Sequence, residues 1–169
     1  MFQRILVPTD GSESALAAHR LAIGIARKYD STIVFMHALE TVKLMSIVSP
    51  FEVCANCQFA TDAATRMAHQ LLDSAVAEAD AAGVLLASSF FTEGRAVPSI
   101  LETARKRESD LIVLGSHGRG GISGALLGTV AEGVLRHADV PVLLAHQRYQ
   151  AGDEADLSRG FHHARLTPP

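Results

Sequence analysis

Residues 110–130 read DLIVLGSHGRGGISGALLGTV, and the rest of the chain can be read outward from them. Leu111, Ile112, Val113 and Leu114 form a short unbroken apolar run, the pattern of a strand covered on both faces in a parallel sheet. The run breaks at Gly115 into a segment with glycine at 115, 118, 120, 121, 124 and 128. Beyond it, Ala131, Val134 and Leu135 recur at helical spacing and predict a helix over about 128–137. A glycine-rich loop between a strand and a helix is placed to present backbone N–H groups to an anion. Glycine allows positive φ and lets the backbone approach a phosphate with no Cβ in the way. A helix that begins at Gly128 adds unsatisfied N–H groups and a partial positive charge, and Thr129 adds a hydroxyl. Phosphate is the ligand chemistry this segment suits. The same glycines also fit a plain surface loop, and their place between strand and helix favours phosphate.

The pattern extends in both directions. Upstream, residues 2–8 (FQRILVP) are a β-rich run stopped by Pro8. Asp10, Gly11 and Ser12 then make a polar turn with capping groups, and Ala18, Leu21, Ala22 and Ile25 share one stripe of a helix over about 13–28. Residues 31–38 (STIVFMHA) read as the second strand. A second helix, about 61–82, turns Ala68, Leu71, Leu72 and Ala75 inward and ends at Gly83. A strand near 85–92, a turn at Glu93 and Gly94, and a third helix near 96–107 follow. That helix packs through Val97, Ile100, Leu101 and Ala104, and accepts Pro98 because its first turn needs no N–H there. A last strand, 141–145, closes the series. Strands alternating with helices predict right-handed βαβ crossovers and an α/β fold on a five-stranded parallel sheet.

Two stretches stand outside this scheme. Residues 40–60 would be a loop of about 20 residues, unusual in a compact domain, so a short helix over 41–47, a lid and a partner contact all stay open. Residues 147–169 lack periodicity and read as a mobile tail or a docking segment, leaving one domain over 1–146.

The composition narrows the function. The chain has 169 residues and is 48% hydrophobic, enough for one well-filled core. No run approaches the roughly 18 apolar residues of a membrane span. The amino terminus lacks the apolar region and cleavage site of a secretory signal, so cytoplasmic residence is expected. A net charge of −3 with interspersed signs offers nucleic acid no general attraction. Cys54 and Cys57 are the two cysteines, too few for a disulfide framework. As a CxxC pair they supply half of a four-ligand zinc site, and two ordinary thiols are the simpler reading. The His162-His163 pair has no ligand spacing and reads as solvated.

Two familiar phosphate-binding motifs are excluded. The P-loop requires lysine in GxxxxGK[ST], and no lysine occurs from 107 to 169. The dinucleotide fingerprint GxGxxG, begun at Gly118, requires glycine where Ser123 stands, and it should follow the first strand, where only Gly11 occurs.

Gly115-x2-Gly118-x9-Gly128-Thr129 resembles the G-x2-G-x9-G-[ST] signature of the ATP-binding branch of the universal stress protein family. Residues 5–15 (ILVPTDGSESA) are similar to that family's first strand and turn. Residues 110–121 (DLIVLGSHGRGG) and 137–144 (HADVPVLL) look like its fourth and fifth strand regions. The likeness covers about residues 2–146. It implies a Rossmann-like sheet in the order 3-2-1-4-5 with helices on both faces. Ligands bind such sheets beyond the carboxyl ends of strands 1 and 4, where our own strand reading also places Asp10 and Gly115.

By the same resemblance, Pro8, Thr9 and Asp10 line the adenine and ribose side, with the Asp10 carboxylate near the ribose hydroxyls. Ala38 meets adenine through its backbone. Leu114, Gly115, His117 and Gly118 wrap the ribose and first phosphates, and Gly128, Thr129 and Val130 hold the outer ones. Arg119 either neutralises phosphate or faces water. ATP is the expected ligand, with Mg²⁺ carried on its phosphates; AMP and cyclic AMP share the same adenine contacts. Asp10 equally suits capping of the first helix, and His117 suits a solvated loop. The implied function is a nucleotide-dependent regulatory or stress-response switch. A slow ATP hydrolase or nucleotidyl transferase using His117 or Asp10, and a nucleotide-free dimerisation module, are the alternatives. The resemblance also implies a homodimer paired through strand 5, since 140–144 (VPVLL) would otherwise be an exposed apolar edge, unless the tail covers it.

Overall fold

The computed structural model describes residues 2–40, 56–118 and 127–146, with the backbone alone over 56–61. In chain order the elements are β1 (Arg4–Pro8), α1 (Glu13–Tyr29), β2 (Thr32–Leu39), α2 (Asn56–Ala81), β3 (Ala87–Glu93), α3 (Ala96–Lys106), β4 (Leu111–Gly115), α4 (Thr129–His137) and β5 (Val142–Ala145). The strands form one sheet in the order β3-β2-β1-β4-β5. Every neighbouring pair is parallel, in registers such as Ile5 with Ile33, Leu6 with Ile112 and Ile112 with Val142. This is the anticipated architecture.

Both faces of the sheet are buried because successive strand residues point to opposite sides and both sets are apolar. Ile5, Val7, Ile33, Phe35, Leu111 and Val113 meet the alanine-rich stripes of α1 and α2 on one face. Leu6, Met36, Ile112 and Leu114 meet Ile100 and Ala104 of α3 and Ala131 and Val134 of α4 on the other. Small residues on the helices let them lie close to the strands.

Three boundaries or faces differ from expectation. Helix α2 begins at Asn56 rather than near 61. Leu135, expected inside, is 48% exposed: Val134 is buried, and its neighbour lies about 100° further round the helix. Leu21, Ile25, Leu71, Val97 and Leu101 are only half-buried at the margins of their stripes. Pro98 is the third residue of α3, inside its first turn as anticipated. The expected helix over 41–47, Cys54, Arg119 and the tail 147–169 lie outside the described residues. Among the described residues no helix is long and apolar enough to cross a membrane.

Candidate functional site

The order of the strands opens a gap at one end of the sheet. From β1 the chain turns through Gly11 (φ 77°) into α1 on one face. From β4 it heads toward α4 on the other face. Between the two departures lies a cavity of about 490 Å³, the position at which open α/β sheets take ligands. Pro8, Thr9 and Asp10 line it from β1, Ala38 from β2, and Leu114, Gly115, His117 and Gly118 from β4. Gly128, Thr129 and Val130 close it from the start of α4. These are the residues anticipated from the sequence, apart from Arg119, which is not among those described. Sequence reasoning missed the apolar floor, to which Met36, Ile100 and Ala131 contribute. Its signal lay in the core stripes, which do not reveal where they end at a cavity.

On the β2 side the useful groups belong to the backbone. In a strand, alternate residues direct both N–H and C=O to the same neighbour. Met36 C=O accepts from Thr9 N at 2.8 Å, so even-numbered residues of β2 face β1, while Leu39 C=O accepts from Gly94 N on the β3 side. The Ala38 N–H and C=O therefore face the direction β1 has already left, and neither has a hydrogen-bond partner among the described residues. A donor and an acceptor are side by side at the cavity wall, suited to the edge of a base. His37 Nδ1 lies 2.6 Å from Thr9 O, so this nitrogen carries the proton and pins the end of β1.

On the β4 side close approach, not left-handed backbone, explains the first two glycines. None of Gly115, Gly118 and Gly128 has positive φ, so of the two glycine properties named above it is the missing Cβ that applies here. A Cβ at Gly115 would lie 2.7 Å from Ser14 Oγ and 2.8 Å from Ala15 N, so the first turn of α1 occupies the space a side chain needs. A Cβ at Gly118 would lie 2.8 Å from Asp10 Oδ2. The Gly128 N–H donates to Ser116 O at 2.9 Å, drawing the two ends of the loop together.

Gly128 is also the N-cap of α4, with φ −63° and ψ 147° and no side chain to offer the helix. Intrahelical bonding resumes only with Glu132 N to Gly128 O. The N–H groups of Thr129, Val130 and Ala131 are the orphan donors of a helix start, with a partial positive charge beside the cavity.

Asp10 is not the cap of α1. Ser12 takes that position, its hydroxyl accepting from Ala15 N at 3.3 Å, while Asp10 Oδ1 accepts from Ser12 N at 3.0 Å. The carboxylate thus shapes the turn that enters the helix, with Oδ2 on the Gly118 side. His117 is half-buried rather than fully solvated: its Nδ1 lies 3.0 Å from Ser116 Oγ and its ring 6.2 Å from that of His146. Among the described residues no group of three or more histidine, cysteine, aspartate or glutamate side chains is arranged to hold a metal ion.

Comparison with known proteins decides the family. The sequence profile of the universal stress protein family matches residues 1–146. The chain belongs to the universal stress protein family. A universal stress protein of Methanocaldococcus jannaschii is 30% identical over 144 residues, which cover 85% of this chain and 82% of the relative. A crystal structure of a universal stress protein in complex with cAMP is 27% identical, with a TM-score of 0.63 over 86% of this chain and 98% of that one. A universal stress family protein from Arabidopsis thaliana, solved with AMP bound, shares the fold at 20% identity and a TM-score of 0.62, over 85% of this chain and 91% of that one.

Proposed function

We propose that this universal stress protein binds ATP in the cavity between β1 and β4 and acts as a nucleotide-dependent regulatory switch. The observation that carries the reading is the meeting, around one cavity, of the Ala38 backbone pair, the Asp10 carboxylate and the unpartnered N–H groups at the start of α4. These suit, in turn, a base edge, ribose hydroxyls and phosphates. The G-x2-G-x9-G-[ST] spacing of Gly115, Gly118, Gly128 and Thr129 supports the ATP-binding branch, and the bound cAMP and AMP of two related structures support an adenine nucleotide. Mg²⁺ travels on the phosphates, since the described residues bring it no carboxylate cluster.

Binding rather than turnover is the function we infer. Fast phosphoryl transfer needs positioned charge stabilisers beyond the metal, and the chain has no P-loop lysine to serve as one. A homodimer through β5 belongs to the same proposal: β5 is an edge strand, and its Leu143 is 36% exposed.

Thermal unfolding with ATP, ADP, AMP, cyclic AMP and GTP, each with Mg²⁺, tests the reading. A ligand at about 100 times its dissociation constant stabilises the fold by about 2.7 kcal/mol. The expected result is an upward shift with ATP that GTP does not match. No shift with any adenine compound would refute nucleotide binding.

A further inference from the structure

The anion site depends on where one N–H points, and that direction is set from the far side of the loop. Ser14, 4% exposed in the first turn of α1, donates its hydroxyl hydrogen to the carbonyl oxygen of His117. Ser12 Oγ lies 3.4 Å from the same oxygen. The contact is possible because Gly115 has no side chain where Ser14 sits. Among the described residues there are no cis peptide bonds, so the His117–Gly118 peptide is trans and planar, and its C=O and the following N–H point in opposite directions. With the carbonyl held on α1, the Gly118 N–H is turned away from α1. On that side lie the cavity and Gly128, whose Cβ, if it had one, would be 3.5 Å from Gly118 N. Among the described residues the Gly118 N–H has no acceptor.

We infer that Ser14 is a positioning residue for the nucleotide's phosphates, acting through the Gly118 N–H without touching the ligand. The inference rests on the nucleotide reading above. Without the Ser14 hydroxyl the 117–118 peptide is held less firmly, and a turned peptide presents its carbonyl oxygen, a partial negative charge, to the phosphates. The penalty therefore follows the phosphate and spares the nucleoside. A side chain that only stabilised α1 would weaken all ligands alike.

Calorimetric titration of adenosine, AMP and ATP into wild type and Ser14→Ala reads this directly, together with the ¹H–¹⁵N signal of Gly118 in ligand-free protein. In Ser14→Ala we expect unchanged adenosine affinity, about tenfold weaker AMP and ATP, and a shifted or broadened Gly118 amide. If Ser14→Ala does not fold, Ser14→Cys, similar in size and a weaker donor, carries the same comparison. Equal losses for adenosine and ATP, or no loss for ATP with an unaltered Gly118 amide, overturn the role of Ser14 alone. A wild type that binds none of the three ligands overturns the nucleotide reading and this role with it.

Discussion

β1 and β4 are neighbours, yet their two ends are built oppositely. At the amino end the strands are tied together. The Asp110 carboxylate accepts from Gln3 N at 2.7 Å and Arg4 N at 3.0 Å, Asp110 N donates to Arg4 O at 3.0 Å, and the Arg4 guanidinium reaches Glu108 O at 2.7 Å. At the carboxyl end the chains part to opposite faces, and backbone donors of Ala38, Gly118 and Thr129 border a cavity of about 490 Å³. The strand chemistry is the same at both ends; the direction in which the connections leave is what differs. Topology opens the cavity, and small residues lie at its rim.

The largest expected effect comes from filling the packing gap at the open end. Gly115→Ala places a Cβ 2.7–2.8 Å from the Ser14 and Ala15 backbone, so α1 or β4 must shift. We expect a loss of about 3 kcal/mol in urea unfolding, at the upper end for overpacking. A wild-type urea midpoint would mean that the two elements do not approach as closely as described.

Acid offers a comparable effect that leaves both ends of the strand pair intact. His19 of α1 is 1% exposed, stacked edge-on against Phe35 with ring centroids 5.0 Å apart, and its two nitrogens have no hydrogen-bond partner among the described residues. Burial, aided by the Arg20 charge and opposed by Asp10, lowers its pKa from 6.5 to about 4. Glu78, 3.9 Å from Nδ1, is too far to hold the proton by a hydrogen bond. Between those two values the unfolded chain binds a proton that the folded chain refuses. Stability is therefore complete above pH 6.5 and falls as the pH drops, and the loss from this residue is complete below pH 4. The shift of about 2.5 units corresponds to about 3 kcal/mol. Denaturant titrations at pH 7 and pH 4 on wild type and His19→Leu isolate it, and equal pH slopes in the two proteins would contradict the assignment.

A smaller effect should separate binding from folding. Gly118→Val sets a side chain against Asp10 Oδ2, on an exposed residue at the rim. We expect ATP affinity to fall about 100-fold, about 2.7 kcal/mol, with little change in ligand-free stability. Equal losses in affinity and stability would mean that this rim is structural. Asp110→Ala should show the reverse. It removes an acceptor from two N–H groups at the tied end, costs about 1–2 kcal/mol of stability by urea unfolding, and leaves ATP affinity unchanged. An affinity loss there would show that the two ends are coupled.

The sequence made the ladder of strands and helices legible because both core faces repeat along the chain, as Ile5 and Val7 against Leu6 show. The rim of the site was legible for a different reason: Gly115, Gly118, Gly128 and Asp10 fall immediately after strands or before a helix. The contributions of Met36, Ile100 and Ser14 were not legible. Met36 and Ile100 look like any core residue, and Ser14 looks like any polar residue in a first helical turn. Their roles arise from contacts across more than 60 residues of chain, which spacing does not encode. The glycines were read as allowing both positive φ and close approach without a Cβ; at Gly115 and Gly118 the described backbone uses only the second, and against α1 and Asp10.

The central claim is that main-chain N–H groups at the end of β4 and the start of α4 hold the phosphates. A crystal structure of the protein grown with ATP and Mg²⁺ tests it most directly, through the distances from phosphate oxygens to three nitrogens. We predict oxygens within about 2.7–3.2 Å of Gly118 N, Thr129 N and Val130 N. Phosphates directed into solvent, with none of these nitrogens in contact, would contradict it.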